Sequence, residues 1–129
     1  MVKLTYLFVG LGGAIGSILR YYLSYLHAPE SVMPYGTLLV NLSGSFLLGW
    51  FTARFGTFKK LHPHLSAAFS TGLLGSYTTF STFCLELVKL LETGHYFYTL
   101  AYLVISFAGG IVLAWLGYRT AFVKRGGVE

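Results

Sequence analysis

The sequence predicts an all-α membrane protein, and three observations carry that prediction. Hydrophobic residues make up 55% of the 129 residues and charged residues only 10%, against roughly 25% charged in an average soluble domain. The mean hydropathy is +0.67. The apolar residues gather into four spans, at about 4–25, 35–55, 65–91 and 96–118, each near the roughly 20 residues a helix needs to cross the hydrocarbon core. The length fits one domain, so residues 1–129 are read as a single four-helix transmembrane unit.

The first span begins just after Lys3 and carries Gly10, Gly12, Gly13 and Gly16 before Arg20. It is longer than a secretory signal core, and no small-residue cleavage pattern precedes Arg20, so it reads as a retained helix. Gly12, Gly13 and Gly16 form a small-residue face that lets another helix approach closely. The second span repeats the device with Gly44 and Gly49, and the fourth with Gly109, Gly110 and Gly117. Connections are short: 27–34 with prolines at 29 and 34, 56–63, and 92–95. Tyr25, Trp50, Tyr96, Tyr98 and Tyr118 near the span ends are interface aromatics. Small bundles with glycine faces bury little alone, so a second copy is expected to cover them.

The third span departs from a lipid-facing composition. Residues 72–83 read Gly-Leu-Leu-Gly-Ser-Tyr-Thr-Thr-Phe-Ser-Thr-Phe, with hydroxyls at Ser76, Thr78, Thr79, Ser81 and Thr82 among three aromatic rings. Hydroxyls and freed backbone carbonyls at membrane depth are tolerated where they face protein or line a polar path. Gly72, Gly75 and the β-branched pair Thr78 and Thr79 weaken the helix, glycine costing about 1 kcal/mol against alanine. A break mid-membrane would free carbonyls that a desolvated cation can use. Phe80 and Phe83, three apart, fall on one helix face. The alternative is a glycine kink whose hydroxyls bond back to the preceding turn. The stretch from Gly75 to Phe83 is read as lining a conduit or a bound ion.

Charge placement sets topology. Lys3, Arg54, Lys59, Lys60, Arg119, Lys124 and Arg125 fall on one side and only Arg20 and Lys89 on the other, which puts both termini in the cytoplasm. The net charge of +5 is spread between apolar spans as anchors, so no nucleic-acid partner is expected. Glu86 and Lys89, three apart, are read as a pair. The histidines at 27, 62, 64 and 95 are placed in loops, and His62-Pro-His64 lacks the cysteine or carboxylate companions of a metal site. The single Cys84 leaves the redox compartment open.

The 72–83 run resembles the signature of the Fluc/CrcB family of small bacterial fluoride channels. Gly12-Gly-Ala-Ile-Gly-Ser-Ile-Leu-Arg-Tyr21 and Gly36-Thr-Leu-Leu-Val-Asn-Leu-Ser-Gly44 agree with it, and all four spans follow in order. The resemblance implies an antiparallel dimer with two narrow pores, exporting fluoride across the bacterial cell membrane and so relieving its toxicity. It implies a structural, untransported Na⁺ on the dimer axis, held by the backbone carbonyls of Gly75 and Thr78. Phe80 and Phe83 map to the pore rings, Ser81 and Thr82 to hydroxyl contacts, Asn41 to the pore asparagine and Arg20 to the vestibule. Tyr102 and Ser106 map to the polar track of the fourth helix. Gly110 stands where family members often carry serine, and Ser76 where the motif often has a second glycine.

The chemistry of these residues suits a small anion. An ion leaving water needs hydrogen-bond donors, and Asn41, Ser81, Thr82, Tyr102 and Ser106 can donate. Phenyl rings present a positive edge without a fixed charge, and weak multi-site contacts let the ion leave. Asn41 also suits helix–helix hydrogen bonding, and Arg20 suits snorkelling to the interface. A small four-helix dimeric multidrug exporter is the competing reading. It needs a carboxylate at membrane depth, and Glu30, Glu86, Glu92 and Glu129 all lie outside the first two spans. A non-transporting scaffold would need the glycine faces but not the stacked hydroxyls and rings. With no nucleophile–base pair or metal cluster, an enzyme is not expected. The charge bias bears on assembly: an antiparallel homodimer wants balanced Lys and Arg, whereas this chain favours one orientation. The partner is therefore another copy or a related subunit inserted the opposite way.

Overall fold

The computed structural model describes residues 2–25, 30–56 and 61–123, and these residues are helical between short turns. Helix α1 spans Val2–Ser24. Helix α2 spans Tyr35–Phe51 and widens into a π-helical turn over Thr52–Gly56. Pro63 opens α3, Pro63–Ala67, in the first turn, where its missing N–H costs nothing. A π-helical stretch, Ala68–Leu74, leads into α4, Gly75–Tyr77. Thr78 is extended, at φ −77° and ψ 156°. The chain turns helical again in α5, Ser81–Glu92, and α6, Tyr96–Val123.

Three helices are long and apolar enough to cross a membrane: Lys3–Ser24, Tyr35–Phe55 and Tyr96–Phe122. The third apolar span of the sequence is distributed over α3, the π-helical stretch, α4 and α5, none of which reaches that length alone. Large apolar side chains stay exposed along the long helices, among them Leu7, Leu11 and Ile18 on α1 and Phe97, Leu100 and Ile111 on α6. A water-soluble core would hide them; this is a membrane protein, with lipid or protein as the solvent of those faces.

The glycine faces are used inside the chain. A Cβ on Gly12 would strike the Ala68 carbonyl, and one on Gly16 the Leu73 carbonyl, so α1 lies directly against the π-helical stretch. Gly49 meets the Ala114 carbonyl and Gly117 the Phe46 carbonyl, which seats α2 on α6. Gly36 brings the start of α2 to the Ser24 backbone at the end of α1. Helix α5 closes the bundle through a core of Met33, Leu38, Phe83, Leu90 and Tyr102. Its C-terminus turns at Gly94, whose φ of 75° favours glycine, while the N–H of His95 reaches back to the Leu90 carbonyl.

Two sequence readings are corrected. Glu86 does not pair with Lys89: its oxygens accept the hydroxyls of Thr37, at 2.8 Å, and Tyr102, at 2.7 Å. The carboxylate faces the bundle because α2 and α6 offer two donors there. His64 is not in a loop. It lies in α3, buried, 2.6 Å from the Thr5 hydroxyl and stacked on Phe8. These contacts hold the start of α3 against the start of α1. Lys3, Arg54 and Arg119 therefore share one end of the bundle, and Lys89 lies at the other, beside Ser24 and Gly36. Lys59, Lys60, Lys124, Arg125 and His27 lie outside the described residues.

Candidate functional site

The non-helical residues 78–80 exist because their backbone groups find partners elsewhere. In a continuing helix the Thr79 N–H would bond to the Gly75 carbonyl. Instead it donates to Asn41 Oδ1 at 2.8 Å, and the Asn41 amide donates back to the Thr79 carbonyl at 2.9 Å. In the same way the Thr82 N–H, which would serve the Thr78 carbonyl, donates to Thr79 Oγ1 at 3.2 Å. The carbonyls of residues 75–78 thus lose their helical donors, Gly75 and Thr78 among them. The Thr78 hydroxyl bonds back to the Leu74 carbonyl at 2.9 Å. Its methyl group packs on Gly44, which has no room for a Cβ.

Beside this interruption lies an open groove of about 340 Å³. Asn41 and Ser45 of α2, Gly75 and Thr78, Phe80 and Phe83, and Ser106 of α6 face it. Phe80 is 71% exposed and Phe83 only 4%, with ring centroids 6.0 Å apart. Phe83 also packs on Tyr102 at 5.0 Å and edge-to-face on Phe107. The Ser106 hydroxyl is buried without a hydrogen-bond partner among the described residues. A buried donor left unpaired costs about 1–3 kcal/mol, so Ser106 holds an unspent donor on the groove wall.

A second cavity, about 410 Å³, lies one helical turn further toward the Ser24 end. Thr37, Thr82, Glu86, Lys89 and His95 are among the residues that line it. The Thr79 hydroxyl, on the first groove, donates to Thr82 Oγ1 on the second cavity at 3.0 Å, so hydroxyls run from one space to the other.

The sequence pattern of the family described as CrcB-like protein, Camphor Resistance (CrcB), matches residues 7–118. The chain belongs to the CrcB family. A CrcB relative from Geobacillus kaustophilus, named Fluoride-specific ion channel FluC 2, is 42% identical over 124 residues, 95% of this chain and 96% of its own. One from Desulfitobacterium hafniense, named FluC 1, is 41% identical over 82% of this chain and 93% of its own. One from Staphylococcus aureus, also FluC 1, is 40% identical over 91% of this chain and 79% of its own.

The residues to which the CrcB motifs point do not all share one space. Asn41, Gly75, Thr78, Phe80, Phe83 and Ser106 line the groove. Thr82 lines the second cavity, and Ser81 is exposed with its hydroxyl 3.4 Å from Thr79 Oγ1. Tyr102 is fully buried with its hydroxyl on Glu86, and Arg20 is half-buried on α1, outside both cavity walls. Sequence reasoning missed Thr37, Ser45 and the role of Glu86. Thr37, Asn41 and Ser45 recur every fourth residue of α2, a polar stripe legible at helical spacing. Ser76, set where the motif often has glycine, packs its hydroxyl on Gly13. Gly110 faces Ser45, whose hydroxyl would lie 3.6 Å from a Cβ at position 110, an ordinary contact.

Proposed function

We propose that this chain forms a fluoride-selective channel that exports fluoride across the bacterial cell membrane and so relieves its toxicity. Residues 1–129 act as one transmembrane unit, the third crossing being a helix broken mid-membrane, with both termini cytoplasmic. The groove carries the reading: two phenyl rings, a clamped amide and an unpaired hydroxyl converge in a space that no charged side chain lines among the described residues. Such a wall stabilises an anion by ring edges and weak donors, and releases it again. The names of relatives that share most of the chain agree.

An open groove with Phe80 facing out is half a pore. An antiparallel partner, a second copy or a related subunit, covers it and forms two pores in the dimer. Na⁺ fits the carbonyls of Gly75 and Thr78, which have lost their helical donors. A bound cation there would supply a fixed positive charge that holds the two interruptions together. Asn41, Phe80, Phe83, Ser81, Thr82, Tyr102 and Ser106 serve the anion path, with Arg20 attracting anions outside it. The exporter reading is weaker, since both oxygens of Glu86 are already committed to hydroxyls.

Purified protein in liposomes tests this by fluoride efflux, with chloride efflux and proton-driven drug uptake as comparisons. Fluoride efflux alone is expected. Drug uptake without fluoride efflux would transfer the assignment to the exporter.

A further inference from the structure

Three aromatic rings punctuate residues 72–83, and the channel reading gives a part to only two of them. The third, Tyr77, closes α4 and is buried. Its hydroxyl lies 2.8 Å from Ser43 Oγ on α2, 34 residues earlier in the chain. The Ser43 hydroxyl in turn donates to the carbonyl of the fully buried Val40, at 3.2 Å. A serine has one hydrogen to give. Ser43 gives it to Val40, so Tyr77 is the donor in the first bond and Ser43 its acceptor.

This bond is one of two ties that hold the interruption to α2. At the far edge, Asn41 holds both backbone groups of Thr79. Between the ties, the Thr78 methyl and the Tyr77 ring leave no room for a Cβ on Gly44. Residues 77, 78 and 79 are therefore laid against a single turn of α2, residues 41–44. The Gly75 carbonyl leaves the chain within α4, and the Thr78 carbonyl leaves it at the extended residue that follows. An unbroken helix would fix two such groups through its own hydrogen-bond ladder. Here that ladder is interrupted, and the ties at 77 and 79 set where the two carbonyls stand.

A backbone oxygen has no side chain to adjust it, so a site built from carbonyls depends on the groups behind them for its geometry. Asn41 secures the Thr79 edge alone. We propose that Tyr77 is a positioning residue for the cation site: its bond to Ser43 pins the end of α4 to α2 and so fixes the Gly75 carbonyl relative to that of Thr78. The inference rests on the Na⁺ reading given above.

Tyr77→Phe tests it cleanly, because the ring stays on Gly44 and Ser43 keeps its bond to Val40. No buried donor is left stranded. The readout is the thermal stability of the purified full-length protein in detergent as Na⁺ is raised, with a large organic cation keeping ionic strength constant. A ligand that binds only the folded state stabilises it by the logarithm of 1 + [Na⁺]/Kd, so the onset of the rise gives Kd. Tyr77→Phe should raise that Kd by roughly two- to tenfold, the span one neutral hydrogen bond supplies. Ser43→Ala should raise it likewise, and the double variant should add nothing further, since both remove one bond. Ser43→Thr keeps the acceptor and should keep the wild-type Kd. A bond with a purely structural role would lower stability equally at every Na⁺ concentration and leave Kd unchanged. That result in Tyr77→Phe would overturn the positioning role and leave the cation site standing. A wild type indifferent to Na⁺ would overturn both. Should Tyr77→Phe not fold, Ser43→Ala against Ser43→Thr decides, and equal Kd values in the two would overturn the role.

Discussion

Phe80 and Phe83 are three residues apart yet live in different surroundings, which gives their substitutions different signatures. Phe80 is 71% exposed and Phe83 4% exposed against Tyr102 and Phe107. Replacing either by Ile removes a ring edge, and fluoride efflux should fall severely in both. Stability should divide them: Phe80→Ile should stay within about 0.5 kcal/mol of wild type in the protomer, while Phe83→Ile should cost more, by loss of packing. Wild-type efflux in both variants would remove the rings from the path. Asn41 makes the sharper prediction. Its side chain satisfies both backbone groups of Thr79, and each buried group left unpaired costs about 1–3 kcal/mol. Asn41→Ala should therefore lower thermal stability in detergent markedly, whereas a pure pore-lining amide would alter flux alone.

At the scale of elements, the interruption between α4 and α5 is held by diverted hydrogen bonds rather than by glycine. Gly75 has an ordinary helical φ of −65°, and a Cβ there would meet only the Ser70 carbonyl at 3.8 Å. Gly75→Val should thus fold as a protomer, and any loss of flux or of self-association would report contacts beyond it, those of the proposed partner and ion. Thr78→Ser keeps the bond to Leu74 and should be tolerated in flux. Replacing Na⁺ by a large organic cation should lower both flux and dimer stability. Equal behaviour in the two cations would dismiss the carbonyl site.

For the whole molecule, the distribution of charge bears on the proposed assembly. Lys3, Arg54 and Arg119 gather at one end of the bundle, and such a bias fixes orientation. Reporters active on one side of the membrane, fused to the C-terminus and expressed with this chain alone, should give a cytoplasmic signal predominantly. A related subunit of opposite bias would then complete the antiparallel pair in the cell. Equal signals on both sides would show dual topology and favour the homodimer.

The sequence by itself determined the class, the apolar spans and the motif, because hydropathy and helical spacing act locally and lipid leaves the backbone little choice. The motif named Asn41, Phe80, Phe83 and Ser106, and helices α2, α5 and α6 bring them to one groove. Residues 72–79 marked where the helix weakens, but the partners that hold it open were not legible in the same way. Whether Thr79 bonds to Gly75 or to Asn41 depends on a side chain 38 residues away. The glycine faces announced close contact without saying with what, and chain packing paired Gly12 and Gly16 with the π-helical stretch and Gly49 with α6. Glu86 is the clearest case. Local spacing offered it Lys89, but in the packed bundle two hydroxyls from other helices converge on it. A carboxylate away from water takes the donors that tertiary structure brings to it, and no local pattern states which those are.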